Sequence, residues 1–292
     1  MFSGTYTALV SPFLNDQVDD DSYARLIEHQ IAGGVNGIVP VGTTGESPTV
    51  THEEHLQLVR RAVEISKGRC QVIAGAGSNS TAKSIAMAKE CEQLGANGLL
   101  LVAPYYNKPS PEGMFRHFRD VAAATKLPVL LYNIPGRCGV EIGVDVVKRL
   151  AEECPTIVSI KEAGGTPERV SQMRQVLPPE FTILSGDDSL TLPFLAVGAV
   201  GVVSVASNLI PNEVVALVKH FLDGQPLPAR VLHEAFYPLF KEIFVEPNPV
   251  PIKLALVWKG IIASAEVRGP LCEPTRENAE RLRALLGKLK LV

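Results

Sequence analysis

Ile157-Val158-Ser159-Ile160-Lys161 is a short run, apolar but for one serine, that stops on a lysine and passes at once into Glu162-Ala163-Gly164-Gly165. Runs of the same kind lie at 6–11, 37–41, 71–75, 98–103, 128–133, 181–185 and 201–205. A polar or Gly-rich loop follows each run, and segments of helical period fall between the runs, which is the alternation of a βα repeat. The runs are continuous rather than alternating, as in parallel strands covered on both faces, and this argues against an antiparallel sandwich. With the run at 157–161 they predict an α/β protein of (β/α)8 TIM-barrel architecture, and 292 residues accommodate one with a small appendage.

Helix starts fall where such a barrel needs them. Thr51 and Glu54 form a capping box ahead of THEEHLQLVRRAVEISKG, Ser110-Pro111 sets a cap before a first-turn proline, and Thr166-Pro167-Glu168 repeats that device. After Ser207-Asn208 no strand pattern recurs. The chain therefore divides into a catalytic barrel over 1–224 and a C-terminal helical appendix over 225–292, with DGQPLP at 223–228 as the linker. Within the appendix, ARVLHEAFYPLFKEIF and TRENAERLRALLGKL carry helical spacing, and Pro247-Asn248-Pro249 breaks the run between them. No catalytic cluster is expected there.

Composition narrows the function classes. A chain 46% hydrophobic and 20% charged reads as globular rather than disordered or fibrous, and a net charge of -3 argues against nucleic acid as a partner. Cys70, Cys91, Cys138, Cys154 and Cys272 are scattered, odd in number and without a CxxC pair, so neither a disulfide framework nor a zinc site is indicated. A reducing, cytoplasmic setting fits. MFSGTYTALVSPF lacks a basic stretch followed by a long apolar run, and no targeting or membrane segment is expected.

In a barrel of this kind the chemistry collects where strands end. The ends here deliver Gly42-Thr43-Thr44-Gly45-Glu46-Ser47, Pro104-Tyr105-Tyr106-Asn107, Tyr132-Asn133-Ile134-Pro135-Gly136-Arg137, Lys161-Glu162 and Gly186-Asp187-Asp188. Lys161 is placed to point into an apolar interior, where desolvation favours the neutral amine that attacks a carbonyl. The plain alternative is a lysine that snorkels outward or pairs with Glu162. Tyr132 and Tyr106 can exchange protons with a substrate oxygen and Thr43 can bridge their hydroxyls, although each alone is more often a packing or capping residue, and it is the set that points to chemistry. The turn at 42–45 offers backbone N–H groups suited to a carboxylate, without the pattern of a P-loop. Arg137 is a bidentate carboxylate binder, or else a surface arginine. His52 and His55 stand three apart near a helix start but lack a third ligand, and read as solvated or interface histidines rather than a metal site.

GTTGES, PYYNKP, YNIPGR, SIKEA, LSGDD, VSVASN and NPVPIK occur in an order and spacing that, over nearly the whole chain, resembles the dihydrodipicolinate synthase family. This family lies within the pyruvate-dependent class I aldolases and lyases. The resemblance implies that Lys161 forms an imine with pyruvate and that Tyr132, Thr43 and Tyr106 relay protons, Tyr106 in a neighbouring subunit's site. It implies that Thr43 and Thr44 hold the pyruvate carboxylate, that Arg137 holds the carboxylate of aspartate semialdehyde, and that the backbones of Gly186 and Val203 lie close by. The implied reaction yields 4-hydroxy-tetrahydrodipicolinate, the branch point of diaminopimelate and lysine biosynthesis, in a homotetramer without metal or organic cofactor. Sialic-acid lyases are similar around the lysine and tyrosine but lack an arginine after YNIPG, so Arg137 favours the synthase branch. The other readings are a sugar-acid aldolase and a barrel with an inert Lys161.

Family members inhibited by lysine bind it at a subunit interface, and the matching positions here are Ser47, Pro48, His52, His55, Asn79, Lys83 and Tyr105. Lys83 departs from the pattern: inhibited members carry a glutamate that pairs with the ligand's amino group. Weak or absent feedback by lysine is the expectation.

Overall fold

A computed structural model describes residues 2–292. In chain order the elements are β1 (Gly4–Ala8), β2 (Phe13–Leu14), β3 (Gln17–Val18), α1 (Asp20–Ala32), β4 (Gly37–Val39), α2 (His52–Ser66), β5 (Gln71–Gly75), α3 (Thr81–Gln93), β6 (Gly98–Val102) and α4 (Pro111–Ala122). There follow β7 (Val129–Asn133), α5 (Pro135–Cys138), α6 (Val144–Glu153), β8 (Ile157–Glu162), α7 (Pro167–Val176), β9 (Thr182–Ser185), α8 (Thr191–Ala196), β10 (Gly201–Ser204) and the helices α9 (Pro211–Leu222), α10 (Pro226–Glu242), α11 (Val250–Trp258) and α12 (Arg276–Lys288). The parallel strands close in the order β1-β10-β9-β8-β7-β6-β5-β4, with β4 returning to β1. This is the expected (β/α)8 barrel.

Capping places the helices as the sequence predicts. Thr51 and Glu54 exchange side-chain and backbone bonds at the start of α2, Ser110 accepts from Gly113 N ahead of α4, and Thr166 accepts from Glu168 N ahead of α7. Four of the eight barrel strands stop earlier than their apolar runs. Leu9 and Val10 still pack in the core after β1 has ended, so hydrophobicity overshoots the hydrogen-bonded ladder. The β2–β3 hairpin was invisible to periodicity because each strand has two residues. Its signal was Asn15-Asp16, both with positive φ at 52° and 60°, as a two-residue hairpin turn requires. The DGQPLP linker is also shorter than read: Pro226 opens α10, where its missing N–H has no helical partner to lose, leaving 223–225 as the connection.

Register decides which side chains enter the barrel. Across β7, β8 and β9, Tyr132 pairs with Lys161 and Lys161 with Leu184, while Asn133 pairs with Glu162 and Glu162 with Ser185. Tyr132 and Leu184 belong to the inner cluster with Tyr6, Leu100, Leu130 and Val203. Side chains alternate along a strand, so Lys161 shares their interior and Glu162 faces the helices. No helix among the described residues is long and apolar enough to cross a membrane.

Candidate active site

Lys161 is 5% exposed, and its Nζ lies 4.0 Å from the centroid of the Tyr132 ring. Burial is the main force pushing its pKa down, to about 7; the nearby Asp188 carboxylate opposes the shift and Arg137 adds to it. Gly186 makes the space. A Cβ there would stand 3.1 Å from Lys161 Cε and 2.7 Å from Ala163 Cβ, while its N–H donates to Glu162 O at 2.8 Å. Val203, 1% exposed, packs in the same interior.

The alternative Lys161–Glu162 pair does not form. Glu162 instead accepts from Asn133 Nδ2 at 2.8 and 3.0 Å, from Arg169 Nε at 2.7 Å and from Gly164 N at 2.6 Å, on the opposite side of the strand. Asp188 is a feature to which sequence reasoning gave no role. It is 2% exposed and takes hydrogen bonds from the Ser204 hydroxyl, from Val205 N at 3.0 Å and from Ala206 N at 3.1 Å. Burial pushes its carboxyl up to about 6 against those bonds. The GDD at a strand end was the available signal.

Burial pushes the Tyr132 phenol up to about 12, and the Thr43 hydroxyl beside it, with Arg137 further off, draws it back. The turn at 42–47 ties up the amides of Gly45, Glu46 and Ser47 on the carbonyls of Gly42 and Thr43. Those of Thr43 and Thr44 have no partner among the described residues, which leaves two donors for an anion. Thr44 is 3% exposed, and its hydroxyl oxygen accepts from Asn248 Nδ2 at 2.9 Å. Lys253 Nζ reaches Glu46 Oε1 at 2.6 Å. The segment expected to hold no catalytic cluster therefore grips the turn at 42–47, a connection that NPVPIK contained but whose direction only folding revealed.

A cavity of about 730 Å³ opens over this mouth. Its wall contains Thr43 and Arg137 together with Ser47, His52, His55, Lys83 and Tyr105. Lys161 and Tyr132 are not on that wall; both are buried within the barrel, and Tyr132 adjoins the wall through the Thr43 hydroxyl. Asn79 is not on the wall; its carbonyl accepts from Asn107 Nδ2 at 2.9 Å. His52 Nε2 stands 3.1 Å from Glu90 Oε1, and burial pushes His55 down to about 4. Among the described residues no three His, Cys, Asp or Glu side chains gather as a metal site. Tyr106 stands apart from Tyr132 and Thr43 of its own chain: it is 89% exposed, has a φ of 72°, and lies off the cavity wall.

Comparison with known proteins places this geometry. A family model described as the dihydrodipicolinate synthetase family matches residues 1–289. The 4-hydroxy-tetrahydrodipicolinate synthase of Persephonella marina is 44% identical over 292 residues, covering 100% of both chains. The solved structure of the 4-hydroxy-tetrahydrodipicolinate synthase of Methylacidiphilum fumariolicum SolV is 57% identical, with a TM-score of 0.98 over 99% of this chain and 96% of that one. A Cyanidioschyzon merolae structure of the same enzyme type, with lysine bound, is 42% identical with a TM-score of 0.97, over 100% of this chain and 99% of that one.

Proposed function

This chain belongs to the dihydrodipicolinate synthetase family, and on that premise we propose that it is a lyase condensing pyruvate with aspartate semialdehyde through an imine on Lys161. The observation that carries the reading is the amine itself, 5% exposed beside Tyr132 with its pKa pushed down to about 7. Such a lysine has a neutral fraction able to attack pyruvate's ketone near neutral pH. Water leaves as the imine forms, and loss of a methyl proton gives an enamine whose carbon adds to the aldehyde. Tyr132, with Thr43 beside it, protonates the new alkoxide. The substrate's own amine then attacks the imine carbon, closing the ring and releasing Lys161 as 4-hydroxy-tetrahydrodipicolinate forms.

The Thr43 and Thr44 turn holds the pyruvate carboxylate, Arg137 holds that of the semialdehyde, and Gly186 and Val203 form the floor. Tyr106, turned away from its own chain's cavity, completes the relay of a neighbouring copy within a homotetramer. Residues 1–224 are the catalytic barrel and 225–292 a helical appendix that braces it. The compartment is the cytoplasm, and the product feeds lysine and diaminopimelate biosynthesis. Lys83 on the cavity wall makes feedback by lysine weak or absent. Pyruvate with borohydride, followed by peptide mass analysis, should leave a stable adduct on Lys161. Pyruvate with aspartate semialdehyde should consume both, whereas N-acetylmannosamine in its place should not react. An unmodified Lys161, or turnover of the sugar alone, refutes the assignment.

A further inference from the structure

We infer that Lys253 is a positioning residue which, through its buried ion pair with Glu46, holds the Thr43–Thr44 turn in the shape that receives a keto-acid carboxylate. The inference rests on the imine-forming reading of the site. The side chains of Lys253 and Glu46 are 0% and 1% exposed and meet at 2.6 Å, across 207 residues of sequence. Both are fully engaged: Lys253 Nζ also reaches Glu266 O at 2.6 Å and lies 4.3 Å from the Phe13 ring centroid, while Glu46 Oε2 accepts from Arg268 N at 2.9 Å. Taking two charges out of water is costly, and apolar residues of the same volume would stabilise the fold at least as well. The pair therefore points to a geometric purpose.

That purpose is local. Glu46 adopts a left-handed backbone, φ 55°, at the end of the turn, and its N–H donates to Thr43 O at 3.1 Å. Wherever the Glu46 carboxylate is held, the Thr43 peptide follows. Asn248, on the chain leading into the same helix α11, donates to Thr44 Oγ1 at 2.9 Å. With one lone pair so occupied, the Thr44 hydroxyl presents its proton, the polarity a carboxylate needs. One C-terminal element thus grips the turn at two points, and neither substrate carbon need touch it.

Lys253→Met and the double variant Glu46→Gln/Lys253→Met separate this role from simple stability. The single variant leaves a buried carboxylate unpaired and lowers Tm; the double variant removes both charges and recovers most of the loss. With the ion-pair grip gone in both and only that of Asn248 left, the KM for pyruvate should rise about tenfold, while the KM for semialdehyde and kcat change less than about twofold. A double variant with wild-type KM for pyruvate overturns the inference. Borohydride trapping of the wild-type protein keeps the two ideas apart: an adduct on Lys161 with an unaltered double variant defeats only the role of Lys253. Absence of the adduct from the wild type defeats the reading of the site, and this inference with it.

Discussion

Lys161 pays for its place in the barrel with its charge, and the pH behaviour of the protein should report that directly. The amine is nucleophilic only when neutral, so kcat/KM for pyruvate should climb with pH through an ascending limb near 7. Asp188 opposes the effect of burial, and Asp188→Asn should move that limb to lower pH; an unmoved limb would remove Asp188 from the electrostatics of the site. Stability follows with a definite sign. The folded-state pKa lies below the unfolded one, so the unfolded chain binds more protons between about pH 7 and lysine's ordinary value of about 10.4. Wild-type stability should therefore rise across that window, and Lys161→Met, which forms no adduct, should melt higher than wild type at pH 7. Thermal melts of both proteins from pH 7 to 10 read this difference. Lys161 was legible in the sequence because of its company: a lone lysine ending an apolar run can snorkel or pair, but here Thr43, Tyr106, Tyr132 and Arg137 follow the ends of other runs. Asp188 was not, since nothing in Gly186-Asp187-Asp188 states which acid turns inward until β9 and β10 are set side by side.

Between residue and fold, the loop after β7 shows how an element is aimed. Arg137 sits on α5, one turn long, which ends at Gly139 with φ 70° in the left-handed region that glycine tolerates best. Both ends of this excursion are tied to one buried hub. Asn133 Nδ2 donates to Glu162, Asn133 Oδ1 accepts from Ile142 N at 3.0 Å, and Arg169 bridges Glu162 to the Ile142 carbonyl. Arg137→Ala should weaken semialdehyde use by about 1.5–3 kcal/mol, the range for a charged hydrogen bond, while leaving borohydride trapping with pyruvate intact. Arg169→Leu strands Glu162 without its cation and should cost about 3–5 kcal/mol of stability in denaturant melts. It should also raise the KM for semialdehyde more than that for pyruvate, because the loop it frees carries Arg137. Equal losses for both substrates would argue that the hub supports the barrel in general. Caps and proline starts made α2, α4 and α7 readable from short-range signals. The Asn133–Glu162–Arg169 hub was unreadable because its members become neighbours only through the register of β7 and β8 and the packing of α7.

The whole molecule is a barrel whose mouth is finished by chain from elsewhere. Phe13, at the β2–β3 hairpin, packs against the cations of Lys253 and Arg268, at 4.3 and 4.2 Å from its ring centroid. Arg268 reaches Glu54 at the head of α2, whose carboxyl it pulls down to about 2. Hairpin, C-terminal segment and α2 so converge beside the cavity that holds Lys83. A ligand ammonium about 4 Å from Lys83 would meet a repulsion of roughly 1–4 kcal/mol where a glutamate would attract it. Submillimolar lysine should therefore leave the wild-type rate unchanged, and Lys83→Glu should confer inhibition in a dose-response assay. Tyr106 extends the argument beyond one chain. Its exposed ring lies off the wall of its own cavity; if it serves a neighbouring copy, as proposed, a chain bearing Tyr106→Phe and one bearing Lys161→Met should complement each other when refolded together. In a mixed dimer the site with the intact Lys161 receives the intact Tyr106 from its partner. Random pairing of equal amounts makes half the dimers mixed, each with one whole site of two, and predicts about a quarter of wild-type activity. If Tyr106 served its own chain, no mixed dimer would contain a whole site, and the mixture would do no better than the average of its two components.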